Sequence, residues 1–318
     1  MGTTEDLYRL LIDQYLTKVE ARQDAYYAVA TGLRSYADLI GNNAGDANLA
    51  VQRLLSSGSG EAMDALAAHW AKVLGHDTQS MADAARLTAD VATTIGAAIE
   101  TAKLQNIEIA ATCAAECTAT IVAGALTFGA SQPVVNAAFA KAQYASQTLV
   151  VGCHRRISAD LASLQSTPSV AALPTIVTDL ASGVGGGTGG GGGAGQDSGR
   201  AWGNTLPGTG TGGTTLRVDH AEHERAAGRL REEAVEVWGT TAGTIQGCQG
   251  DHNNAANSGT LGAAIGGVLG PVLQNLSSAT TEFGAHLDGA LADAILQISL
   301  DQQSTDGDLK QRMSDLDR

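Results

Sequence analysis

The chain has little of what builds a thick globular core or a reaction pocket. Of its 318 residues only 4 % are aromatic, and there are five prolines and four cysteines. Ala and Gly supply much of the remainder. Because alanine buries little area per residue, we expect thin helical layers or hairpins rather than a thick globule. The scarcity of proline and the long Ala-, Leu- and acid-rich stretches favour helix.

Positive charge is also scarce. The 19 Lys and Arg residues face 33 Asp and Glu residues, which gives a formal net charge of -14. Such a chain lacks the basic footprint of a nucleic-acid binder and would be repelled by anionic lipid. The first residues, MGTTEDLYRLLIDQYL, are acidic where a secretory signal is positive, and no long apolar core follows. We therefore expect no Sec-type signal peptide, so export would need another route.

Apolar residues recur at helical spacing through the first half of the chain. The spacing predicts one amphipathic helix over residues 3–42, which the GNNAGD segment would end. The SSGSG segment at 56–60 predicts a second break. From Glu61 a long helix is expected, with a kink or interruption at 75–77.

A turn is predicted at TFGASQP, residues 127–133, where Pro133 suits the first turn of the following helix. Val134 to about Leu164 then reads as a helix that returns antiparallel to the one before it. The sequence thus predicts an N-terminal helical bundle over residues 1–165.

The tract GVGGGTGGGGGAG at 183–195 is open to two interpretations, a phosphate-binding loop or a tether. A Walker loop ends in Gly-Lys-Ser/Thr, whereas GAGQDSG follows here, with no lysine and no apolar strand before it. Composition therefore favours a tether. Pro168 and Pro174 limit helix length just upstream, so residues 166–215 are predicted to be a Pro-rich, then Gly-rich, flexible linker.

After the linker, residues 216–318 are predicted to form a helical hairpin. A fresh helix would start near residue 216, and GCQGDHNNAANSG at 247–259 would be a long polar turn. A second helix is expected from about Leu261 to Gln302, with a kink at Pro271. The predicted fold class is therefore all-α: an antiparallel bundle of long helices, a Gly-rich linker and a second helical hairpin.

The cysteines allow two interpretations. With a turn centred near Ser131, Cys113 would lie within a helical turn of Cys153, so a Cys113–Cys153 disulfide is a candidate, with Cys117 as the competing partner. Four small buried thiols in a reduced protein fit equally well. A zinc site from Cys113, Cys117, Cys153 and His154 is conceivable, but its ligand spacing is that of no known knuckle.

No other constellation points to chemistry. His220, His223 and Glu224 stand at the start of a helix, but their order is not HExxH, and a solvated helix face is the simpler interpretation. No nucleophile motif or catalytic carboxylate pair stands out. We predict no catalytic residue, no metal and no cofactor.

Two long uncharged runs, residues 117–140 and 252–281, raise a membrane alternative. Pro, Gly, Gln, Asn and many Ala lower their hydrophobicity well below that of a Leu-rich span. A buried helical hairpin explains the first run more simply. Insertion of the 117–140 hairpin after a trigger stays open as an alternative function.

Taken together, the two helical parts resemble the W-x-G superfamily of type VII secretion substrates. Residues TLRVDHAEHERAAGRLREEA to SLDQQSTDGDLKQRM look like the EspC-type branch, whose opening Leu-x-Val-Asp segment is matched by Leu216, Val218 and Asp219. Thr305, Asp306 and Leu309 match its closing Thr-Asp-x-x-Leu pattern. The N-terminal part looks more loosely like the helical N-terminal regions of toxins secreted by the same actinobacterial systems.

The resemblance implies a non-enzymatic protein that is exported, or that binds an exported partner, and is secreted or at the cell surface after a cytoplasmic stage. Pairing would use coiled-coil-like helix packing against a helical partner or a second copy, handled by the type VII machinery. A cytosolic helical scaffold is a further alternative. Packing inside the chain's own core is the alternative for each residue predicted to pack against the partner. These residues are apolar and lie at helical spacing: Leu66, Trp70, Leu230, Val237, Trp238, Phe283, Leu287 and Leu291.

Overall fold

The computed structural model describes residues 16–124, 132–182 and 219–303, and every regular element in these ranges is helical. The all-α prediction is therefore confirmed. The elements in chain order are α1 (Gln23–Ser57), α2 (Glu61–Lys72), π1 (Val73–Thr78), α3 (Gln79–Gly124), α4 (Gln132–Gln165), α5 (Pro168–Ala181), α6 (His220–Glu236), π2 (Val237–Thr241), α7 (Ala242–Ala256), α8 (Gly259–Ala285) and π3 (His286–Leu291). The helix resumes after π3 over residues 292–303, labelled α9.

The first helix differs from its prediction at both ends. Residues 3–15 of the predicted helix lie outside the described residues, and α1 begins only at Gln23. It then runs through GNNAGD to Ser57, because this segment turns a buried stripe inward that includes Asn43, Ala44 and Ala47. Burial outweighs the low helix propensity of its glycines. The break at SSGSG is confirmed, since Gly60 has φ 131° directly before α2.

Within the described ranges, three short π-helical segments interrupt the long helices. π1 lies where the sequence predicted a kink, at Gly75, His76 and Asp77. π2 contains Trp238 and Gly239, and π3 begins at His286. A π-turn inserts one extra residue per turn and is often found at functional sites. The side chains around these segments are therefore candidates for a functional site.

The predicted linker over 166–215 is wrong in its first part, because α5 occupies Pro168–Ala181. Pro168 stands at the start of the helix, where a missing N–H costs nothing. Pro174 lies inside the helix, and the buried stripe Val170, Leu173, Ile176 and Leu180 compensates for its lost hydrogen bond. The Gly-rich tract at 183–213 lies outside the described residues.

The predicted polar turn at 247–259 is shorter than expected. Helix α7 continues to Ala256 because Cys248, His252 and Ala255 face inward at helical spacing. The reversal takes place at Asn257 and Ser258 and ends at Gly259, whose φ of 69° suits a residue without a Cβ.

The described helices form two compact units, and each unit takes segments from both sides of the Gly-rich tract. Of the described residues, unit 1 combines 16–31, 88–124, 132–166 and 248–271, and unit 2 combines 32–87, 167–182, 219–247 and 272–303. These boundaries do not coincide with the predicted modules 1–165 and 216–318. Contacts between the N-terminal and C-terminal parts occur inside each unit, such as Cys248 Sγ with the carbonyl of Val29 at 3.8 Å in unit 1 and Tyr36 Oη with Thr280 Oγ1 at 2.8 Å in unit 2.

Buried polar contacts show this pairing inside unit 2. Tyr36 Oη lies 2.8 Å from Thr280 Oγ1, with both residues buried. Asn43 Nδ2 donates to Thr241 Oγ1 at 3.3 Å. Because buried polar groups need partners, these contacts fix which stretch of α1 lies against π2 and which lies against α8.

In unit 1 a polar network ties the segment before α1 to α3 and α4. Ser146 is fully buried, and its Oγ lies 2.8 Å from Asn106 Oδ1 and accepts from Thr17 N at 3.1 Å. Asn106 Nδ2 donates to Thr17 O at 3.0 Å. The neighbouring Leu16 joins an apolar cluster with Cys113, Cys117 and other residues of the two helices.

Candidate functional site

Seven of the eight residues predicted to pack against a partner lie in the core of unit 2 instead. Their side chains are almost fully buried within the chain: Leu66, Trp70, Leu230, Val237, Phe283, Leu287 and Leu291. Trp70 also donates its indole N–H to Asn48 Oδ1 at 2.9 Å. At these seven positions the structure shows the alternative, packing within the chain's own core, because helices of the same unit cover the apolar stripe.

Trp238 is the exception, with 40 % of its surface exposed. Its indole N–H donates to the carbonyl of Thr281 at 3.3 Å, and the ring lies directly over Gly284. A Cβ at residue 284 would approach Trp238 Nε1 to 2.5 Å, so the seat of the ring depends on that glycine. Val235, three residues earlier on the same helical face, is 65 % exposed. Together Trp238 and Val235 form an apolar surface, called the Trp238 surface below.

The predicted Cys113–Cys153 disulfide does not fit this fold, and all four cysteines are free and buried. The Asn106–Ser146 contact sets the register of α3 against α4. In that register Cys153 Sγ lies 3.8 Å from the carbonyl of Ala98, whereas Cys113 lies in the cluster with Ala138 and Ala142. Fifteen residues of helix separate Ala98 from Cys113, about 22 Å at 1.5 Å per residue. The predicted turn centre near Ser131 placed Cys153 at the wrong level.

Cys113 lies instead beside Cys117 at the floor of a groove of about 400 Å³ between α3 and α4. Ile109 and Leu149 are among the apolar residues that line the groove. Glu116 and Lys141 also line it, and Lys141 Nζ lies 3.2 Å from Glu116 Oε1. Burial, reinforced by Cys117, raises the pKa of the Cys113 thiol to about 11. A thiol that stays protonated at neutral pH is a poor nucleophile and metal ligand. The groove therefore offers packing surface rather than sulfur chemistry.

Two histidines of unit 2, His69 and His286, form a contact that no local sequence pattern predicts. His69 on α2 and His286 at the start of π3 face each other with 3.0 Å between their Nε2 atoms. Their ring centroids are 5.0 Å apart and their planes are inclined by 47°. His286 is 2 % exposed. The two residues are 217 positions apart in the sequence, which is why no local pattern predicted this pair.

The charged groups near this histidine pair form hydrogen-bonded pairs with neighbouring side chains. In π1, Asp77 is buried and its Oδ1 lies 2.8 Å from His76 Nδ1. Lys72 Nζ lies 2.8 Å from Asp179 Oδ2, which joins α2 to α5. Asp179 raises the pKa of the Lys72 ammonium, chiefly through this hydrogen bond. Both carboxylates nearest the histidine pair are therefore already engaged.

Two further histidines depart from the predicted solvated helix face at the start of α6. His223 is fully buried and its Nδ1 lies 2.9 Å from the carbonyl of Asp219. His220 Nδ1 lies 2.7 Å from Ser299 Oγ, and only Glu224 is exposed. Asp219 caps the helix by accepting from the N–H of Glu222 at 3.2 Å. The two imidazoles thus anchor α6.

Among the described residues, no group of three or more His, Cys, Asp or Glu side chains is arranged to hold a metal ion. Within the same ranges, no helix has the length and hydrophobicity of a membrane span. No protein-family model, curated protein or solved structure matches the chain.

Proposed function

We propose that the chain is a non-enzymatic, type VII secretion-associated protein that packs against a helical partner through the Trp238 surface. The resemblance of residues 216–309 to the EspC-type branch suggests the secretion route. The observation that carries the pairing is the half-exposed indole of Trp238, since it is the one predicted packing residue that the chain leaves uncovered.

The geometry of Trp238 suits a recognition residue. A surface tryptophan with free rotamers would lose entropy on binding, but this ring is already held by the Thr281 carbonyl and by its seat on Gly284. Preorganised aromatic side chains contribute much of the binding energy of many protein interfaces. Val235 extends the apolar area by one helical turn, which matches the spacing that a packed helix would use.

Export is tested by fractionation of actinobacterial cells that produce the tagged chain, with and without the ATPase of their type VII system. The proposal expects the chain in the medium only when the ATPase is present, with a cytosolic marker retained inside the cells. A chain confined to the cytosol in both strains would contradict it and favour the cytosolic scaffold. Release that does not depend on the ATPase would refute the route.

The role of the Trp238 surface is tested with Trp238→Ala in the same strain. Leu300→Ala is the matched control, since Leu300 is also an exposed apolar residue of unit 2, at 57 %. Circular dichroism and melting of the purified variants check that both fold. We expect Trp238→Ala to lower export at least tenfold while Leu300→Ala leaves it unchanged. Equal export of the two variants would rule out this surface as the pairing site.

A further inference from the structure

The contact between His69 and His286 depends on the number of protons that the two rings carry. Two facing Nε2 atoms at 3.0 Å can form a hydrogen bond only if one carries hydrogen and the other offers its lone pair. A proton added to the accepting Nε2 places two N–H groups head to head at this distance. The contact then changes from attractive to repulsive.

The surroundings of the pair offer little to stabilise an added charge. On α2, Lys72 stands one turn from His69 and its ammonium opposes a second positive charge. In π1, Asp77 favours a charged His69, but its carboxylate is shared with His76. Asp179 of α5 is engaged by Lys72. The carbonyl of Leu180 is the group of α5 that favours a proton on His286.

Burial therefore decides the protonation of both rings. Burial, reinforced by the neighbouring His69 and opposed by the Leu180 carbonyl, lowers the pKa of His286 to about 4. Burial, followed by Lys72, also lowers the pKa of His69. A histidine whose pKa is lowered by folding takes up a proton when its site opens, so opening becomes easier as pH falls.

The element on the other side of the contact is π3, a π-helical segment of a kind often found at functional sites. Leu287 and Leu291 of π3 are buried in the core of unit 2. π3 lies against α6, where Arg231 Nε is 4.0 Å from Asp288 Oδ1 of π3. Separation of His286 from His69 would loosen this part of the core first.

We propose that the His69–His286 contact is a pH-operated latch, which fastens α2 to π3 while both rings are neutral and releases π3 in acid. Release takes up one proton at His286 between pH 6.5, its ordinary pKa, and about pH 4. In that window the opening equilibrium rises about tenfold for each unit by which pH falls.

Hydrogen exchange of the full chain, read by mass spectrometry between about pH 7 and about pH 5, tests the latch. After correction for the pH dependence of intrinsic exchange, we expect peptides from 61–72 and 286–303 to lose protection about tenfold per pH unit below 6.5. Peptides from α4 in unit 1 should keep theirs. Equal loss in α4, or no pH dependence at all, would overturn the proposal.

His286→Gln removes the titrating group and keeps a side chain that can donate and accept. We expect the pH dependence of the 286–303 peptides to weaken in this variant to the part that His69 contributes. His252→Gln is the matched control, because His252 is a buried histidine of unit 1 whose pKa burial also lowers; it should leave the slope at 286–303 intact. An unchanged slope in His286→Gln would refute the latch.

A third measurement needs no variant and covers the case in which His286→Gln fails to fold. Exchange of the imidazole C2 hydrogen in the wild-type chain reports the pKa of each histidine. The latch requires His286 to titrate well below 6.5. A normal titration of His286 would overturn it.

Discussion

The polar network around Ser146 gives the sharpest test of how unit 1 is assembled. Ser146 has one hydroxyl hydrogen, which goes to Asn106 Oδ1 at 2.8 Å, while its oxygen accepts from the N–H of Thr17 at 3.1 Å. Ser146→Ala removes both bonds and leaves the Thr17 N–H without its acceptor. The methyl group of alanine fits the same space, so the effect is one of lost hydrogen bonds and not of packing.

The magnitude follows from these two bonds. Each hydrogen bond contributes about 1 kcal/mol net to stability. The Thr17 N–H, left partly buried without its acceptor, adds a further cost, which is smaller where water can reach the group. We expect Ser146→Ala to destabilise the docking of the 16–22 segment by about 2 kcal/mol, which is up to about thirtyfold in the opening equilibrium. Because Leu16 belongs to the same buried apolar cluster as Cys113, we expect the opening to make that thiol more accessible.

The assay measures alkylation of Cys113 by a maleimide together with hydrogen exchange of α4. Thr148→Ala is the matched control, since Thr148 lies on the same helix, is exposed and bonds only to the carbonyl of Tyr144; it should change stability by less than about 0.5 kcal/mol. Labelling of Cys113 in Ser146→Ala at the control rate would refute the reasoning. So would an equal increase at Cys248, which lies elsewhere in unit 1.

The remaining predictions concern two glycines and residues 183–213. Gly152→Ala should stabilise α4 by about 0.5–1 kcal/mol in a thermal melt, because open space surrounds the new Cβ. Gly96→Ala should lack this gain, since its Cβ would lie 2.9 Å from Tyr27 Cε1; equal gains would contradict the close approach. Cleavage at a protease site inserted in 183–213 should leave the two fragments associated in gel filtration. Fragments that separate would contradict the finding that each unit combines segments from both sides of the tract.

The helices themselves could largely be predicted from the sequence. The apolar stripe of α4 and the SSGSG break gave bounds close to those of the structure. The helix in GNNAGD could not be predicted, because the partner that satisfies Asn43 is Thr241, 198 positions away. In the same way, Pro168 and Pro174 suggested a linker, whereas burial of the α5 stripe stabilises a helix.

The site residues were harder to predict than the helices, because each depends on register or on distant pairing. An error of a few residues in the α3–α4 turn moved Cys153 away from its true neighbour Ala98. The His69–His286 contact joins two segments that lie in separate predicted modules. Spacing within one helix carries no information about either contact.

The same interleaving changes what a helical partner could bind. The sequence suggested that one helical hairpin exposes an apolar stripe for another protein, yet inside unit 2 α1 lies against π2 and α8, and α2 lies against π3. The helix pairing expected between two proteins thus takes place within one chain. A partner must either bind exposed apolar side chains, such as those of Trp238 and Val235, or displace a helix whose buried leucines contribute about 1.5–3 kcal/mol each. Binding at the proposed Trp238 surface would require no such displacement.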